Sequence, residues 1–362
     1  MNTLHDSGSD SLAPGELDPL SDVLRTVRLS GALFFLWDAS WPFSTPVPDG
    51  RAFAPIILPG AQQIVSYHIV TEGTCWGAMP GEAALELHAG DVLLIPHGDP
   101  YMMANAPGAW SDSGGMEPAL AFFRRMAAGE LPVLVADGGG GPPVTRVICG
   151  FLGCDVRPFN PMLAALPRMV RVRPPADPAS DRLRSLIEYA LAEARQPRPG
   201  SRCMLLRLSE LLFVEVLRRC LTSLPAGQTG WLAALRDPIV GRALMLLHRK
   251  PAQPWSLEAL ADEAGISRSR LAECFTRCVG QPAMQYLAQW RIQIAARLLT
   301  DGSAKVATVA REVGYESEAA FSRAFKRLVG VSPAQWREKA VSRVEPGAAG
   351  SRTRPRKRAL SR

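Results

Sequence analysis

The amino-acid sequence predicts a multidomain α+β protein with a β-rich N-terminal barrel or sandwich, a middle pair of helices, and an all-α C-terminal domain carrying two helix-turn-helix units. Three observations predict it. The stretch Ser256 to Gly280 has a layout that recurs between Val306 and Gly330. The first half of the chain breaks into apolar runs of four to six residues bounded by Gly, Pro and Asp, the pattern of short strands. Charge also divides along the chain. Residues 1–140 carry 5 basic against 16 acidic side chains, 141–236 carry 14 against 7, 237–339 carry 15 against 10, and 340–362 carry 7 against 1. The net excess of +7 therefore sits toward the C-terminal end, the half suited to an anionic partner.

Taken in order, residues 1–19 are rich in Ser, Asp, Gly and Pro and are expected to be disordered. Residues 20–175 form the β-rich domain. It opens with SDVLRTVRLSGALFFLWDASWPF, a short helix followed by a strand, and continues from Gln62 to Ala106 as short strands ending in a hairpin-like ALELHAGDVLLIPHGDPYMMANAPG. The glycine run in DGGGGPPV lacks the Lys and Ser/Thr of a phosphate-binding loop and reads as a flexible loop before the strand TRVICGFLGCDV. Residues 176–229 hold two helices. Ser180 to Arg195 has its stripe at Leu183, Leu186, Ile187, Ala190 and Leu191; Cys203 to Leu224 has a broader one through Leu205, Leu208, Leu212, Phe213, Val216 and Leu217. A stripe that wide is buried, either on the barrel or against a second copy in a two-fold dimer.

Residues 230–340 form the helical domain. Ser256 is placed to cap a helix with Leu257, Leu260, Ala261 and Ala264 on one face; Gly265 supplies the corner, and Ile266 plugs the angle between helices. Ser267 then caps a second helix with Leu271, Cys274, Phe275 and Cys278 on its buried side. The copy pairs Ala310 with Ala261, Gly314 with Gly265, Phe325 with Phe275 and Gly330 with Gly280, at offsets of 49, 49, 50 and 50 residues, so one residue is inserted within the second unit. One such hairpin is also found in plain helical bundles; two copies with polar outer faces are far more specific. Between them Ala283 to Thr300 is apolar at Met284, Leu287, Ile294, Leu298 and Leu299, one rigid helix long enough to hold two reading helices about one duplex turn, ~34 Å, apart. Residues 341–362 form a basic tail expected to be disordered.

The two units, Trp290 and Arg291 of the linking helix, and the run GYESEAAFSRAFKRLVGVSPAQWR resemble the DNA-binding domain of the AraC/XylS family of bacterial transcriptional regulators from about Asp237 to Lys339. The resemblance implies a sequence-specific DNA-binding regulator that sets both units in adjacent major grooves. A second resemblance lies upstream. Gly90, Pro96, Gly98 and Asn105 fall at the spacing of the second cupin motif, and YHIVTEG, Tyr67 to Gly73, resembles the first. GWLAALRDP, Gly230 to Pro238, resembles the junction found where such sensor domains precede the paired units. Metal-binding cupins use two histidines and a carboxylate from the first motif and a histidine from the second. Here Tyr101 stands at the last position, and the first motif offers either His68 and Glu72 with Ser66 in place of a histidine, or His68 alone. That is short of the three or four convergent ligands required, so no metal and no cofactor are expected. His68, Trp76, His97 and Tyr101 are the candidates for lining a site for a small polar or aromatic effector, although a barrel used only for dimer contacts would carry the same residues.

On the first reading helix the face opposite the buried stripe carries Ser269, Ala272, Glu273 and Thr276, with Arg268 and Arg270 at its start. On the second, Phe321, Ala324, Phe325 and Leu328 are the buried side, and Glu318, Ala319, Ser322, Arg323 and Lys326 face outward. Arg323 is the residue suited to a bidentate contact with guanine, unless Glu316 or Glu318 holds it in a surface ion pair. Two alternatives stand beside the regulator. A cupin-fold enzyme with a helical appendage is opposed by the missing ligands and by the lack of any nucleophile, base and orienting-group signature. A redox-sensing regulator would use Cys75, Cys149 or Cys154, but the seven cysteines are scattered and show no electropositive neighbours in sequence. The expected partners are double-stranded operator or promoter DNA, a small-molecule effector, a second copy of the chain and, for an activator, RNA polymerase. No signal peptide or membrane-spanning run is read, so a cytoplasmic protein is expected, with no membrane partner.

Overall fold

The structure, a computed structural model, describes residues 18–27, 29–107, 116–175, 177, 181–223 and 229–344. Most of the two terminal segments expected to be disordered, residues 1–17 and 345–362, lies outside the described residues. Asp18 and Pro19, assigned to that first segment, instead begin helix α1 (Pro19–Thr26), because the Asp18 carboxylate accepts the Ser21 N–H at 2.8 Å and proline suits the first helical turn.

The N-terminal half is β-rich. A six-stranded sheet runs in the order β10 (Val170–Val172), β6 (Val92–Ile95), β3 (Gln63–Glu72), β9 (Gly141–Cys154), β1 (Leu29–Trp41) and β8 (Leu134–Gly138). A four-stranded sheet runs β2 (Ser44–Val47), β7 (Tyr101–Ala104), β4 (Thr74–Ala78) and β5 (Leu85–His88). The long central strands read as unbroken apolar runs because both faces of the larger sheet are covered. Alternate residues serve two cores. Leu33, Phe35, Trp37, Val70, Val147, Cys149 and Phe151 point between the sheets, where helices α2 (Gly50–Ile57) and α3 (Met116–Ala128) plug the gap by stacking Phe53 on Phe123 at 4.4 Å. Phe34, Leu36, Val65, Tyr67, Ile69, Ile148 and Leu152 point the other way, into a second core shared with the helices that follow.

Those helices are α5 (Arg182–Arg195) and α6 (Ser201–Ser223). The broad stripe of α6 lies on the sheet, and the backbone N–H of Gly31 on β1 donates to Glu210 at 2.8 Å. On α5 the fully buried residues are Leu183, Ala190, Glu193 and Ala194, whereas Leu186, Ile187 and Leu191 of the expected stripe are half-buried, since the helix rests on α6 along one edge. Tyr67 ties this layer down. Its hydroxyl donates to the Ser209 carbonyl at 3.0 Å, and its ring covers Gly150, where an added Cβ would sit 2.1 Å from Cζ.

The DGGGGPPV run is not a loose loop. Strand β8 runs parallel to one side of β1 and β9 antiparallel to the other, so Gly139 and Gly140 carry the chain across the end of β1. Gly139 N–H donates to Pro42 at 3.0 Å, and Gly138, at φ 98°, lies so close that a Cβ would fall 2.0 Å from the Ser40 carbonyl oxygen. Gly138 and Gly139 serve close backbone approach and Gly140 a positive φ of 80°, which composition alone does not distinguish from flexibility.

The C-terminal half is helical: α7 (Trp231–Ala234), α8 (Pro238–Arg249), α9 (Leu257–Ala264), α10 (Arg268–Val279), α11 (Ala283–Asp301), α12 (Val306–Glu312), α13 (Glu318–Val329) and α14 (Pro333–Val344). The linking helix α11 is buried differently from the expected stripe. Leu287 and Leu299 are buried, Met284, Ile294 and Leu298 are only partly so, and Tyr286, Trp290, Ile292, Gln293, Ala295 and Ala296 complete a buried surface that wraps much of the helix. A single stripe could not be read from α11 because it has neighbours on several sides.

The two halves meet along a seam. Short helix α4 (Pro161–Ala164) and α1 approach α7, α8 and α11. Phe159 N–H donates to the buried Gln293 side chain at 2.8 Å, and Arg297 donates to the Arg25 carbonyl at 2.9 Å. Replacing Gly150 with Ala should drive the Tyr67 ring off its seat and cost about 1–3 kcal/mol, the usual penalty for overpacking. Urea unfolding of Gly150→Ala checks this, with a wild-type midpoint as the contrary result.

Candidate DNA-binding interface and sensor core

Both C-terminal units are built by the same local chemistry. Ser256 Oγ accepts the Ala259 N–H at 3.1 Å and caps α9. Gly265, at φ 75°, ends it in the left-handed region, with Ile266 N–H returning to the Ala261 carbonyl at 3.0 Å. Ser267 Oγ then accepts Arg270 N–H at 3.3 Å and starts α10. In the second unit Gly314, at φ 85°, plays the part of Gly265, Tyr315 N–H returns to the Ala310 carbonyl at 2.9 Å, and Ser317 Oγ accepts Ala320 N–H at 3.2 Å to start α13. The inserted residue is thereby located. Gly265 and Ser267 are separated by Ile266 alone, Gly314 and Ser317 by Tyr315 and Glu316, so the extra residue lengthens the turn and leaves both helices in register with their copies.

The outer faces lie where helical periodicity puts them. On α10 Arg268, Ser269, Arg270, Glu273 and Thr276 are exposed and Ala272 half-buried, opposite buried Leu271, Cys274 and Phe275. On α13 Glu318, Ala319, Arg323 and Lys326 are exposed and Ser322 half-buried, opposite Phe321 and Phe325. Their electrostatics differ. Arg268 is held by Glu258 of α9 at 2.9 Å, and Glu273 stands between Arg270 at 3.7 Å and Arg277 at 3.3 Å. Among the described residues no ion pair engages Arg323 or Lys326, so the pairing of Arg323 with Glu316 or Glu318 is not formed.

The residues proposed to line an effector site are not brought together as a set. His68 and Tyr101 meet deep between the two sheets, 2% and 1% exposed, with His68 Nε2 bonded to the Tyr101 hydroxyl and Nδ1 3.1 Å from Cys149 Sγ. Phe35, Phe53, Phe123 and Phe151 fill the space around them. Trp76 is half-buried on β4 in the smaller sheet, and His97 donates from Nε2 to the Leu166 carbonyl at 2.8 Å, away from His68. Glu72 lies at the sheet surface, paired with Arg146. A cupin metal does not fit this arrangement, because both His68 nitrogens already have protein partners and the nearest carboxylate of the first motif points outward.

The redox reading also loses its chemistry here. Cys75, Cys149 and Cys154 are all buried, and burial pushes the thiols of Cys75 and Cys154 up to about 12 and that of Cys149 well above its ordinary value. A thiol so strongly held protonated is a poor nucleophile toward an oxidant. A cavity of about 240 Å³ lies elsewhere, on the outer face of the larger sheet against α5, lined by Leu36, Asp38, Thr71, Leu134, Arg146, Val147, Leu191 and Arg195. Its Arg146 is engaged by Glu72 and Asp38, and the Thr71 hydroxyl by the Arg146 carbonyl at 3.1 Å.

Sequence reading missed the seam. Trp231 Nε1 donates to the Tyr286 hydroxyl at 2.8 Å, which in turn meets His248 Nε2 at 2.7 Å, and the His248 ring stacks on Trp290 at 4.2 Å. If Tyr286 donates to Nε2, the His248 proton sits on Nδ1, facing the Asp22 carboxylate of α1 at 3.7 Å. Burial pushes His248 down while Asp22 opposes the shift. The only sequence signal for this network was the cluster of Trp and Tyr residues in the helical half.

A two-sheet domain joined to a pair of capped, glycine-turned helical hairpins with exposed outer faces is the architecture of a DNA-binding transcriptional regulator with an attached β-rich domain. The comparisons narrow the class. Residues 18–222 match the Cupin family and residues 260–339 the helix-turn-helix domain family. A putative AraC-like transcription regulator of Streptomyces lividans is 33% identical over 89% of this chain and 98% of its own length. The HTH-type transcriptional regulator AlkR of Acinetobacter baylyi is 30% identical over 89% of this chain and 99% of its own. The chain belongs to the AraC family of DNA-binding transcriptional regulators, with an N-terminal cupin domain.

Burial pushes the His68 imidazole down to about 3 from 6.5, so the neutral ring contributes stability that is complete above the unfolded value and is lost as pH falls from about 6.5 toward 3. Between pH 7 and 5 this amounts to about 2 kcal/mol by linkage. His68→Gln, which does not titrate, should flatten that part of the stability-versus-pH curve in urea titrations; an undiminished slope would place the acid sensitivity in another group.

Proposed function

We propose that the chain reads operator or promoter DNA through α10 and α13 together, with the cupin domain setting how the DNA-binding half is presented. The observation that carries this reading is the contrast between the two outer faces. Arg323 and Lys326 on α13 are exposed cations without ion-pair partners among the described residues, whereas Arg268, Arg270 and Arg277 on α10 are already neighboured by Glu258 or Glu273. Arg323 has the planar fork that matches O6 and N7 of guanine, and Lys326 lies a turn later, suited to phosphate. Ala272, Thr276, Ala319 and Ser322 are small enough to let the helices approach base edges, and Glu273 can accept from cytosine N4.

The seam is the proposed route of control. Asp22, Phe159 and Arg25 of the N-terminal half engage His248, Gln293 and Arg297 of the DNA-binding half, so a change in the packing of α1 or α4 reaches α8 and α11 directly. A small-molecule effector acting on the cupin domain, a second copy of the chain and, at activated promoters, RNA polymerase complete the proposed partners. No catalytic activity and no metal are proposed; no described helix is long and apolar enough to cross a membrane, and we place the protein with its DNA in the cytoplasm.

In gel-shift titrations against the natural operator, Arg323→Ala should cost about 1–3 kcal/mol and relax preference at one base pair, while Lys326→Ala should weaken all sequences alike and lower the salt slope by about one. Unchanged affinities of Arg323→Ala for operator and scrambled DNA, with the fold intact, would remove α13 as the reading surface. For the seam, Asp22→Ala should raise amide exchange in α8 and α11 and alter operator affinity. If neither moves, the seam is passive packing.

A further inference from the structure

Two helices can read one operator only if something fixes their distance and rotation, and a shared core does not supply this here. The core of the first unit, with Leu260, Leu271, Phe275, Tyr286 and Trp290, is continuous with that of the N-terminal half. The second unit has a core formed by Ile292, Ala295, Leu299, Val309, Phe321 and Phe325, and half-buried Ile294 of α11 touches both cores. Helix α11 contributes to both, yet a helix alone leaves the outlying turns free to rock about it.

Arg291, at the centre of α11, closes that freedom. Its Nε donates to the Pro251 carbonyl at 2.7 Å and its Nη2 to the Gln253 carbonyl at 2.7 Å, both in the segment that leads into α9 of the first unit. Its Nη1 donates to the Gly314 carbonyl at 3.3 Å, in the turn of the second unit, and the guanidinium faces the Tyr315 ring at 5.9 Å. One planar cation thus binds carbonyls of both units, a geometry that the single ammonium of lysine does not reproduce.

The repeat itself supplies an independent sign. At Gly265 an added Cβ would meet nothing within 4 Å, so glycine there serves only the left-handed backbone; at Gly314, the matching position, it would lie 2.5 Å from the Ala252 carbonyl oxygen and 2.7 Å from its Cα. The second turn rests directly on the segment Arg291 holds, whereas Gly265 in the first turn has no described neighbour at that distance.

We propose that Arg291 is a positioning residue for DNA reading: with the Gly314–Ala252 contact it locks α10 and α13 into a fixed separation and rotation, making the pair a reader of operator spacing as well as of sequence. This rests on the proposed use of both helices. A rigid link matched to its target adds the second contact at high effective concentration; a loosened one forfeits that advantage and tolerates other spacings.

The test uses the full chain and a duplex enriched by the wild-type protein from a random-sequence pool. Derivatives carry one inserted base pair between the two protected elements, which rotates one about 35° around the axis, or a single element alone. Arg291→Lys, which keeps the charge, should bind the enriched duplex about tenfold more weakly, bind the single element as wild type does, and lose most of the discrimination against the insertion. Gly314→Ala, which acts from the other side of the contact, should do the same. Undiminished spacing discrimination in both variants overturns the proposal, as does an equal loss on enriched and single-element duplexes, which would mark a role in folding alone. If the enriched wild-type footprint covers only one element, the use of both helices fails first, and that result is distinct from either.

Discussion

Helix α11 is packed on several sides at once, and the arrangement of the whole chain depends on that burial. Its early turns complete the first helix-turn-helix core through Tyr286, Leu287 and Trp290, and its later turns supply Ile292, Ala295 and Leu299 to the second. Gln293 and Arg297 on the same helix take hydrogen bonds to the N-terminal half. Trp336 of α14 donates to the Ala296 carbonyl at 3.1 Å and closes the remaining side. Three structural units therefore pack on one rod, and a displacement of that rod is felt by each of them. Interiors packed to crystalline density transmit such a shift rather than absorbing it.

The cupin domain presents a different economy. The space between its sheets is taken up by aromatic rings and by the His68–Tyr101–Cys149 group. Burial pushes His68 down and Tyr101 up, so both are neutral and act as hydrogen-bonding core residues. The polar chemistry that links this domain to the rest lies on the opposite face of the sheet, where Tyr67 reaches α6, and along the seam at Asp22 and Phe159.

What the sequence disclosed and what it hid follow from the range of the interactions involved. The helix-turn-helix units were legible because their determinants are local: Ser256, Ser267 and Ser317 cap within three residues, and Gly265 and Gly314 turn the chain on their own φ angles. The outer faces followed from helical periodicity. By contrast, Phe159 and Gln293 are 134 residues apart and neither is unusual where it stands, so no pattern joins them. The burial of α11 departs from its apparent stripe for the same reason, since a helix with partners on several sides has no single stripe. At Gly138 to Gly140 composition points to mobility, whereas Gly138 and Gly139 pass close to β1 and Gly140 turns the chain at positive φ, needs that arise only once β8 and β9 flank that strand.

The separation of the two helical cores has a consequence for how such a protein can change over generations. Residues buried in the first unit answer to two masters, since Phe275 and Tyr286 pack within the same continuous core as Leu20, Val23 and Met162. Substitutions there disturb the docking of the N-terminal half as well as the helix they occupy. The buried side chains of the second unit's cluster all lie between Ile292 and Phe325, and its outer face on α13 carries no ion pair at Arg323 or Lys326 among the described residues that would have to be rebuilt. Changes on the outer face of α13 are thus least encumbered by the rest of the fold, while the first unit is held in place by its attachment. One hairpin can therefore vary at its surface with the rest of the fold undisturbed, whereas the other carries its docking to the N-terminal half along with any change in its interior.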